Sequence, residues 1–287
     1  MKKETRALIY KDTIEMVNNG YTIGDKKITI DNEIISSNFY KKRISIDFDY
    51  LDKYDTKIEV IDSDTLVAAY KMIEEGYHPA VLNMASSSNP GGGVFTGSGA
   101  QEENLFRRTN LFTEMYKYCD RMAKRVGMEY DERNQYPLNM NNGAVYCKNV
   151  TVFRDTENND YEPLEEPFLV DVVRVAGYRD PYVDENGHIE DEIKNITRNK
   201  IKTILNVALV NGNDSLVLGA LGCGAFHNPP KEIAKLFKEV LETDEYKDKF
   251  KYIVFAILDG YRTEQNKQEG NYKAFYDVFN ETAKKSN

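Results

Sequence analysis

Apolar residues recur at helical spacing in several stretches of this chain, with polar residues between them. In residues 4–19 the apolar positions are Ala7, Tyr10, Ile14 and Val17, and a glycine ends the pattern. A stripe of this period is typical of an amphipathic helix with one buried face. The same criterion predicts further helices over residues 65–75, from 101 to 117 or 118, and over 120–126, 193–211, 231–241 and 272–282.

Short apolar runs between these stretches predict β-strands. They cover residues 57–61, 80–84, 168–175, 216–218 and 252–257, with a further short strand over 44–46. Hairpins are predicted over 21–30, around Gly24-Asp25, and over 144–153, with Lys148-Asn149 near the turn. The acidic stretches 156–167 and 180–192 are predicted to be exposed loops. The strand–helix–strand order of residues 57–84 is typical of a βαβ unit, which predicts a parallel pair and an α/β fold.

The pattern divides the chain near residue 57. Residues 1–56 predict an N-terminal extension, made of a helix and a hairpin, that packs on the core. Residues 57–287 predict the main domain. The extension contains no recognisable chemistry, so we expect the functional site in the second part.

A glycine-rich segment follows the strand predicted over 80–84: five glycines fall within residues 91–99. No helix or strand tolerates that density, so this first glycine loop must adopt conformations or approach distances that a Cβ would forbid. The helix predicted after it opens with Gln101-Glu102-Glu103. Free N–H groups in a loop between a strand and a helix commonly bind an anion. Two carboxylates beside such a loop indicate acid chemistry next to a bound phosphate.

A second glycine loop follows the strand predicted over 216–218 and contains Gly222-Cys223-Gly224. Alone, this tripeptide fits a plain connector as well as a binding loop. Ligands of open α/β sheets collect at the carboxyl ends of the strands. The two glycine loops together therefore predict one ligand held from both sides.

The composition narrows the class of protein. Hydrophobic residues make up 41% and charged residues 30%, as in globular proteins, and the net charge of −9 argues against general nucleic-acid binding. No apolar run approaches the roughly 18–20 residues of a membrane span, and the N-terminus lacks a signal-peptide pattern, so we expect a cytoplasmic protein. The three cysteines and three histidines lack disulfide or zinc spacing, and we expect neither a metal nor a cofactor.

The strings around both loops resemble those of a known family. Gly91-Gly92-Gly93, seven residues and then Gln101-Glu102-Glu103 resemble the signature of poly(ADP-ribose) glycohydrolases. The adjoining Leu82-Asn83-Met84-Ala85 and Pro90 resemble the bacterial-type branch of that family, a relative of macrodomains. The segment from Gly219 to Phe226 resembles the macrodomain loop that binds a diphosphate. The resemblance extends over residues 57–257 and implies a macrodomain-like three-layer α/β/α fold with a mixed, largely parallel central sheet.

The resemblance also implies roles for residues. Glu103 would be the general acid that then activates water, and Glu102 would orient the leaving ribose. Asn83 would contact a ribose, although an asparagine there also fits a turn, and Phe226 would pack on the ribose or adenine side, although a core position is the alternative. The remaining residues expected to bind substrate are Gly91, Gly92, Gly93, Val94, Gln101, Gly222, Cys223, Gly224 and Ala225.

The implied reaction is hydrolysis of the ribose–ribose O-glycosidic bond of poly(ADP-ribose), with release of ADP-ribose by a monomeric enzyme. Adjacent carboxylates cannot easily straddle a sugar, so we expect no covalent glycosyl-enzyme. Three alternatives stay open. They are a hydrolase that removes single ADP-ribose units from protein or nucleic acid, a non-catalytic ADP-ribose reader, against which Gln-Glu-Glu argues, and a plain phosphate-binding structural protein.

Overall fold

A computed structural model describes residues 1–259 and 270–281, and it contains a seven-stranded central sheet. The strands, in chain order, are β1 (Tyr21–Ile23), β2 (Lys26–Ile28), β3 (Ser36–Tyr40), β4 (Lys57–Ile61), β5 (Pro79–Met84), β6 (Ala144–Arg154), β7 (Pro163–Val175), β8 (Ser215–Leu218) and β9 (Tyr252–Ala256). The helices are α1 (Lys3–Asn19), α2 (Thr65–Glu74), α3 (Gln101–Arg108), α4 (Phe112–Met115), α5 (Asp120–Val126), α6 (Asp191–Val210), α7 (Pro230–Leu241) and α8 (Asn271–Asn280).

The sheet has the strand order β3-β6-β7-β5-β8-β9-β4. The five strands from β7 to β4 are parallel, and β6 pairs antiparallel with both β7 and β3. Strands β1 and β2 form a separate hairpin, as predicted around Gly24-Asp25. The mixed, largely parallel sheet of the predicted fold class is therefore confirmed.

Alternate residues of the sheet enter two separate cores. In β5, Val81 packs in the core that contains Tyr10 of α1 and Phe106 of α3, whereas Leu82 packs in the core that contains Phe237 of α7. Both faces are thus covered by helices, because a parallel strand that is buried on both sides needs apolar partners on each. This is the predicted three-layer α/β/α arrangement.

Several predicted elements were wrong in detail. Residues 144–153 are not a hairpin but part of the single strand β6, in which Lys148 and Asn149 form a bulge and Asn149 has φ 57°. Residues 163–167 are not loop but the beginning of β7, and the short strand lies at Ser36–Tyr40 and not at 44–46. The residues that favour a hairpin turn also favour a bulge, so the pattern did not separate the two.

Two further predictions concerned connections. Strands β4 and β5 run in the same direction but do not pair, because β9 and β8 lie between them. The helix predicted from residue 101 ends at Arg108, since Thr109 leaves it to form a β-bridge with Val152. The closing helix is present as α8, while Thr282, its predicted last residue, lies outside the described residues.

The predicted N-terminal extension is in contact with the rest of the molecule. Strand β3 is an edge strand of the central sheet, and helix α1 packs in the core beside the first glycine loop. The division of the chain at residue 57 remains a proposal about domains. Within the described residues, no helix is long and apolar enough to cross a membrane.

Candidate active site

A cleft of about 600 Å³ lies at the edge of the sheet where the parallel strands have their carboxyl ends. Residues that follow β4, β5, β8 and β9 line it, together with the beginning of α3. The volume is in the usual range for a site that encloses a small ligand. Of the predicted site residues, Gly92, Gln101, Glu102, Glu103, Gly222, Gly224, Ala225 and Phe226 line this cleft.

The first glycine loop does not present the free N–H groups that were expected to bind an anion. The N–H of Gly91 donates to Glu102 Oε1 (3.0 Å), and that of Gly93 donates to Glu103 Oε1 (2.8 Å). The N–H groups of Gly92 and Val94 donate to carbonyl oxygens within the loop. All four N–H groups from 91 to 94 therefore have acceptors inside the protein, so the loop fixes the two carboxylates. Val94 itself is buried in the core.

Glycine is required at residue 92 by the position of the acid. Gly92 has φ 52°, and a Cβ there would collide with Glu103 Oε1. Only 7% of Glu103 is exposed, and its Oε2 is buried with no hydrogen-bond partner in the described residues. One oxygen of Glu103 is thus held by the loop, the other has no partner in the described residues, and the residue itself lines the cleft.

Glu102 is held by protein groups on both oxygens. Its Oε2 accepts from the N–H of Ser86 (2.7 Å), and its Oε1 forms a buried ion pair with Arg174, whose Nε lies 3.2 Å away. Burial raises the pKa of Glu102 above its ordinary value, and the positive charge of Arg174 and the N–H of Ser86 oppose this shift. Since Gly91, Ser86 and Arg174 engage both oxygens, Glu102 anchors the loop to the sheet, and the predicted contact with the leaving ribose would need a fourth partner on the same carboxylate.

Arg174 is the residue at this site that the motifs did not indicate. It is 1% exposed, and its guanidinium lies over the ring of Tyr136, 4.7 Å from the centroid. It also donates to the carbonyl of Ser86 (3.0 Å). The available signal was a charged residue in the apolar strand predicted over 168–175, because buried charges need a partner.

Gln101 and Asn83 occupy positions beside the cleft. The side chain of Gln101 accepts from the N–H of Met84 (3.0 Å) and donates to the carbonyl of Leu82 (2.7 Å). It thereby completes the hydrogen bonding of β5 beyond the end of its pairing with β8. Asn83 is fully buried next to Arg174 in the strand register, does not line the cleft, and has two unpaired amide atoms in the described part of the chain.

The second glycine loop supplies the free donors. The N–H groups of Gly222, Gly224, Ala225 and Phe226 donate to no acceptor among residues 1–259 and 270–281. Gly222 has φ 75°, and a Cβ there would lie 2.6 Å from Asn228 Nδ2, so this glycine keeps the loop tight. Consecutive free N–H groups form a concave anion site. Within the described residues, the second loop therefore has free N–H groups of the kind expected for both loops, whereas the N–H groups of residues 91–94 are all paired.

Phe226 and Cys223 differ in what they present to the cleft. Phe226 is half-buried, belongs to neither core, and has the guanidinium of Arg179 5.6 Å from its ring centroid. The core position considered for Phe226 is thus not the observed one. Cys223 does not line the cleft; its thiol donates to the carbonyl of Leu221, and burial raises its pKa.

A three-layer α/β/α domain with a carboxylate fixed by one glycine loop and free N–H groups in another belongs to the class of macrodomain-related hydrolases. The family described as microbial-type PARG, catalytic domain, where PARG is poly(ADP-ribose) glycohydrolase, matches residues 10–155, just over half of the sequence. The chain belongs to this family. The match begins within α1, so it includes part of the predicted N-terminal extension.

Solved structures of bacterial enzymes have the same fold. Poly(ADP-ribose) glycohydrolase from Thermomonospora curvata is 26% identical with a TM-score of 0.76, covering 96% of this chain and 100% of that one. The same enzyme bound to the inhibitor ADP-HPD is 27% identical with a TM-score of 0.74, covering 95% of this chain and 98% of that one. The enzyme from Deinococcus radiodurans in complex with ADP-ribose is 26% identical with a TM-score of 0.61, covering 80% of this chain and 86% of that one. A comparison with curated proteins gave no match.

Proposed function

We propose that this enzyme hydrolyses the ribose–ribose O-glycosidic bond of poly(ADP-ribose), with Glu103 as general acid and then general base. The observation that carries the role of Glu103 is its carboxylate, which has one oxygen fixed by Gly93 and the other buried at the cleft without a partner. A group that transfers a proton needs both a defined orientation and an open position toward the substrate.

The chemistry follows the usual course of glycoside hydrolysis. Glu103 gives its proton from Oε2 to the leaving ribose oxygen as the C–O bond breaks and oxocarbenium character develops on the other ribose. The carboxylate then accepts a proton from the attacking water. Glu102 is bound to Ser86 and Arg174 on its two oxygens, which argues against its acting as a nucleophile. We therefore propose a mechanism without a covalent glycosyl-enzyme.

The second glycine loop would hold the diphosphate of the scissile unit. Its free N–H groups at residues 222 and 224–226 suit phosphate oxygens, and Phe226 supplies an apolar surface at the same end of the cleft. Binding the diphosphate there brings negative charge into the cleft, and that charge stabilises the developing cation. The relative from D. radiodurans, in complex with ADP-ribose, supports an ADP-ribose unit as the ligand.

The macromolecular partner is then an ADP-ribose polymer or an ADP-ribosylated macromolecule. The net charge of −9 is unfavourable for general binding to nucleic acid. We also propose that the enzyme acts as a monomer. His, Cys, Asp and Glu side chains in the described ranges form no group of three that could hold a metal ion.

The first prediction tests this function with Glu103→Gln. Glutamine keeps an oxygen for the N–H of Gly93 but has no acidic proton, so ADP-ribose should bind with unchanged affinity while hydrolysis falls at least about a hundredfold. The assay follows products from labelled poly(ADP-ribose), and calorimetry measures ADP-ribose binding to the variant. Turnover within threefold of the parent would refute the role of Glu103. Cleavage of single units from modified protein, with no action on the polymer, would favour the mono-ADP-ribosyl hydrolase instead.

A further inference from the structure

A second pocket, of about 210 Å³, lies between the first glycine loop and helix α5. Asn89, Gly92, Gly93 and Phe95 line it from the loop, and Arg121 and Arg125 line it from the helix. We call it the arginine pocket. None of the motifs that indicated the active site includes its two arginines.

The two guanidinium groups are held in place without an acidic partner. Arg121 Nη2 donates to Asn89 Oδ1 (2.5 Å), and the guanidinium of Arg125 lies 3.7 Å from the centroid of the Phe95 ring. Neither arginine forms an ion pair with a carboxylate in the described part of the chain, whereas Lys124, between them in sequence, pairs with Asp120 (2.8 Å). In a protein of net charge −9, two oriented and unneutralised guanidinium groups at one pocket favour an anionic ligand.

The arginine pocket adjoins the proposed acid through the glycine loop. Gly92 lines both this pocket and the cleft, and the N–H of the next residue, Gly93, holds Glu103 Oε1 at 2.8 Å. Asn89, which positions Arg121, also donates from Nδ2 to the carbonyl of Gly92 (2.9 Å). The two pockets are thus connected by the same short piece of backbone that fixes the acid.

A polymer cleaved at Glu103 extends beyond the cleft on the leaving-group side. In poly(ADP-ribose) the leaving ribose hydroxyl belongs to the next ADP-ribose unit, which has a diphosphate with two negative charges. The second glycine loop holds only the diphosphate of the unit on the other side of the bond. The substrate therefore presents an anion for which the proposed active site has no partner.

We propose that Arg121 and Arg125 bind the diphosphate of the ADP-ribose unit on the leaving-group side of the scissile bond. The arginine pocket is then a second substrate subsite, and it makes the enzyme selective for substrates of two or more ADP-ribose units. Guanidinium groups suit this ligand because their planar donors bind phosphate oxygens in pairs. This inference rests on the proposed function, since it requires the polymer as substrate.

The test measures binding in a Glu103→Gln background, in which a two-unit ADP-ribose oligomer stays intact. The variant Arg121→Gln/Arg125→Gln should bind this oligomer at least tenfold more weakly than the background, while its affinity for ADP-ribose stays within twofold. The control is Lys124→Gln/Arg133→Gln, which removes the same charge from exposed side chains of the same region and should leave both affinities within twofold. Because fewer cations contact phosphate, oligomer binding to the arginine variant should also depend less on salt.

Three outcomes overturn the inference. They are unchanged oligomer affinity in the arginine variant, an equal loss for oligomer and ADP-ribose, and an equal loss in the control variant. Melting temperatures of both variants establish that they are folded, and the exposed positions of all four side chains make this the expected result. Failure of the proposed function has a different signature, since the unmutated enzyme would then leave poly(ADP-ribose) intact.

Discussion

Glu102 and Glu103 are neighbours in the chain, yet their carboxylates have different surroundings. They lie in the first turn of α3 and point to successive positions around the helix, so Glu102 meets Arg174 and Ser86, whereas Glu103 meets the glycine loop and the cleft. The two carboxylates therefore have different roles. One carboxylate anchors the loop to the sheet, and the other is left with a free oxygen for the proposed proton transfer.

The anchoring role predicts a loss of stability in Glu102→Gln. Glutamine retains the size of the side chain but leaves Arg174 charged, buried and unpaired, and breaking one partner of a buried pair costs about 3–5 kcal/mol. Urea unfolding measures the change. The double variant Glu102→Gln/Arg174→Met should recover part of the loss, because neither charge of this pair is then buried. A single variant that loses less than about 1 kcal/mol would contradict the anchor.

The second glycine loop allows a test that separates folding from binding. A Cβ at Gly224 would have no atom within 4 Å, and its φ is outside the left-handed region, so Gly224→Val should fold normally. The added branch would hinder phosphate at the neighbouring N–H groups, and affinity for ADP-ribose should fall at least about tenfold, or 1.4 kcal/mol. Titration calorimetry measures this. The matched variant Gly222→Ala should instead lower the melting temperature, since its Cβ meets Asn228. Normal binding by Gly224→Val would make the loop a plain connector.

Among the elements, helix α1 packs against the first glycine loop. Within this loop, Gly97 has a left-handed conformation, φ 78°, and lies against the backbone of Lys3 in α1. Arg6 of the same helix donates to Glu157 (2.6 Å), a residue that lines the cleft. The N-terminal helix, predicted to contain no chemistry of its own, thus contacts both the loop and the rim of the cleft.

This support predicts that Gly97→Ala is more harmful than its backbone strain alone. Alanine in a left-handed conformation costs about 1–2 kcal/mol, and at Gly97 the Cβ would also collide with Lys3. The matched control is Gly187→Ala, with φ 82° and no atom within 4 Å of the Cβ. Urea unfolding should show a larger loss for Gly97→Ala, and hydrolysis of the polymer should fall only in that variant. Equal effects would mean that α1 does not position the loop.

Some of these elements could be predicted from the sequence, and others could not. Periodicity located α1, α2 and α6 to within a few residues, because amphipathic stripes are local signals. It extended the helix from residue 101 too far, since Thr109 leaves that helix to bridge Val152 in a distant strand. The motif located Glu103, but the partner of Glu102 lies 72 residues away at Arg174, in contact only through the fold. Contacts between residues far apart in the chain could thus not be predicted from the sequence pattern.

At the scale of the whole molecule, the two ends of the parallel strands have different tasks. The cleft lies at the carboxyl ends, where the glycine loops meet. A polar network around the buried Asp171 lies toward the opposite ends. Asp171 of β7 accepts from Tyr146 (2.7 Å) and Asn213 (2.9 Å), and the half-exposed His78, just before β5, places its Nε2 2.9 Å from Asp171 Oδ2. Titration of this network should therefore change stability without changing the reaction.

The last prediction concerns the pH dependence of that stability. The hydrogen bond to Asp171 raises the pKa of His78 above its ordinary value of 6.5, against the effect of burial. A raised folded-state pKa contributes stability that is fully present below the unfolded pKa, near pH 6.5, and is lost as pH rises through the folded pKa. Burial alone would raise the pKa of Asp171, but its hydrogen bonds to His78, Tyr146 and Asn213 lower it to about 2. Its contribution is thus present above about pH 4 and disappears only as pH falls toward 2.

His78→Gln isolates the first of these windows. The difference in unfolding free energy between the unmutated enzyme and this variant should be largest near pH 6 and shrink toward pH 9, as measured by urea unfolding across the range. The control His227→Gln removes a histidine from an exposed ion pair with Asp180 and should change the free energy of unfolding little, because exposed ion pairs contribute little. The rate of polymer hydrolysis should have the same pH profile in His78→Gln as in the unmutated enzyme. A stability difference that grows with pH would reverse the assigned sign, and a shifted activity profile would show that the network and the cleft are coupled through the sheet.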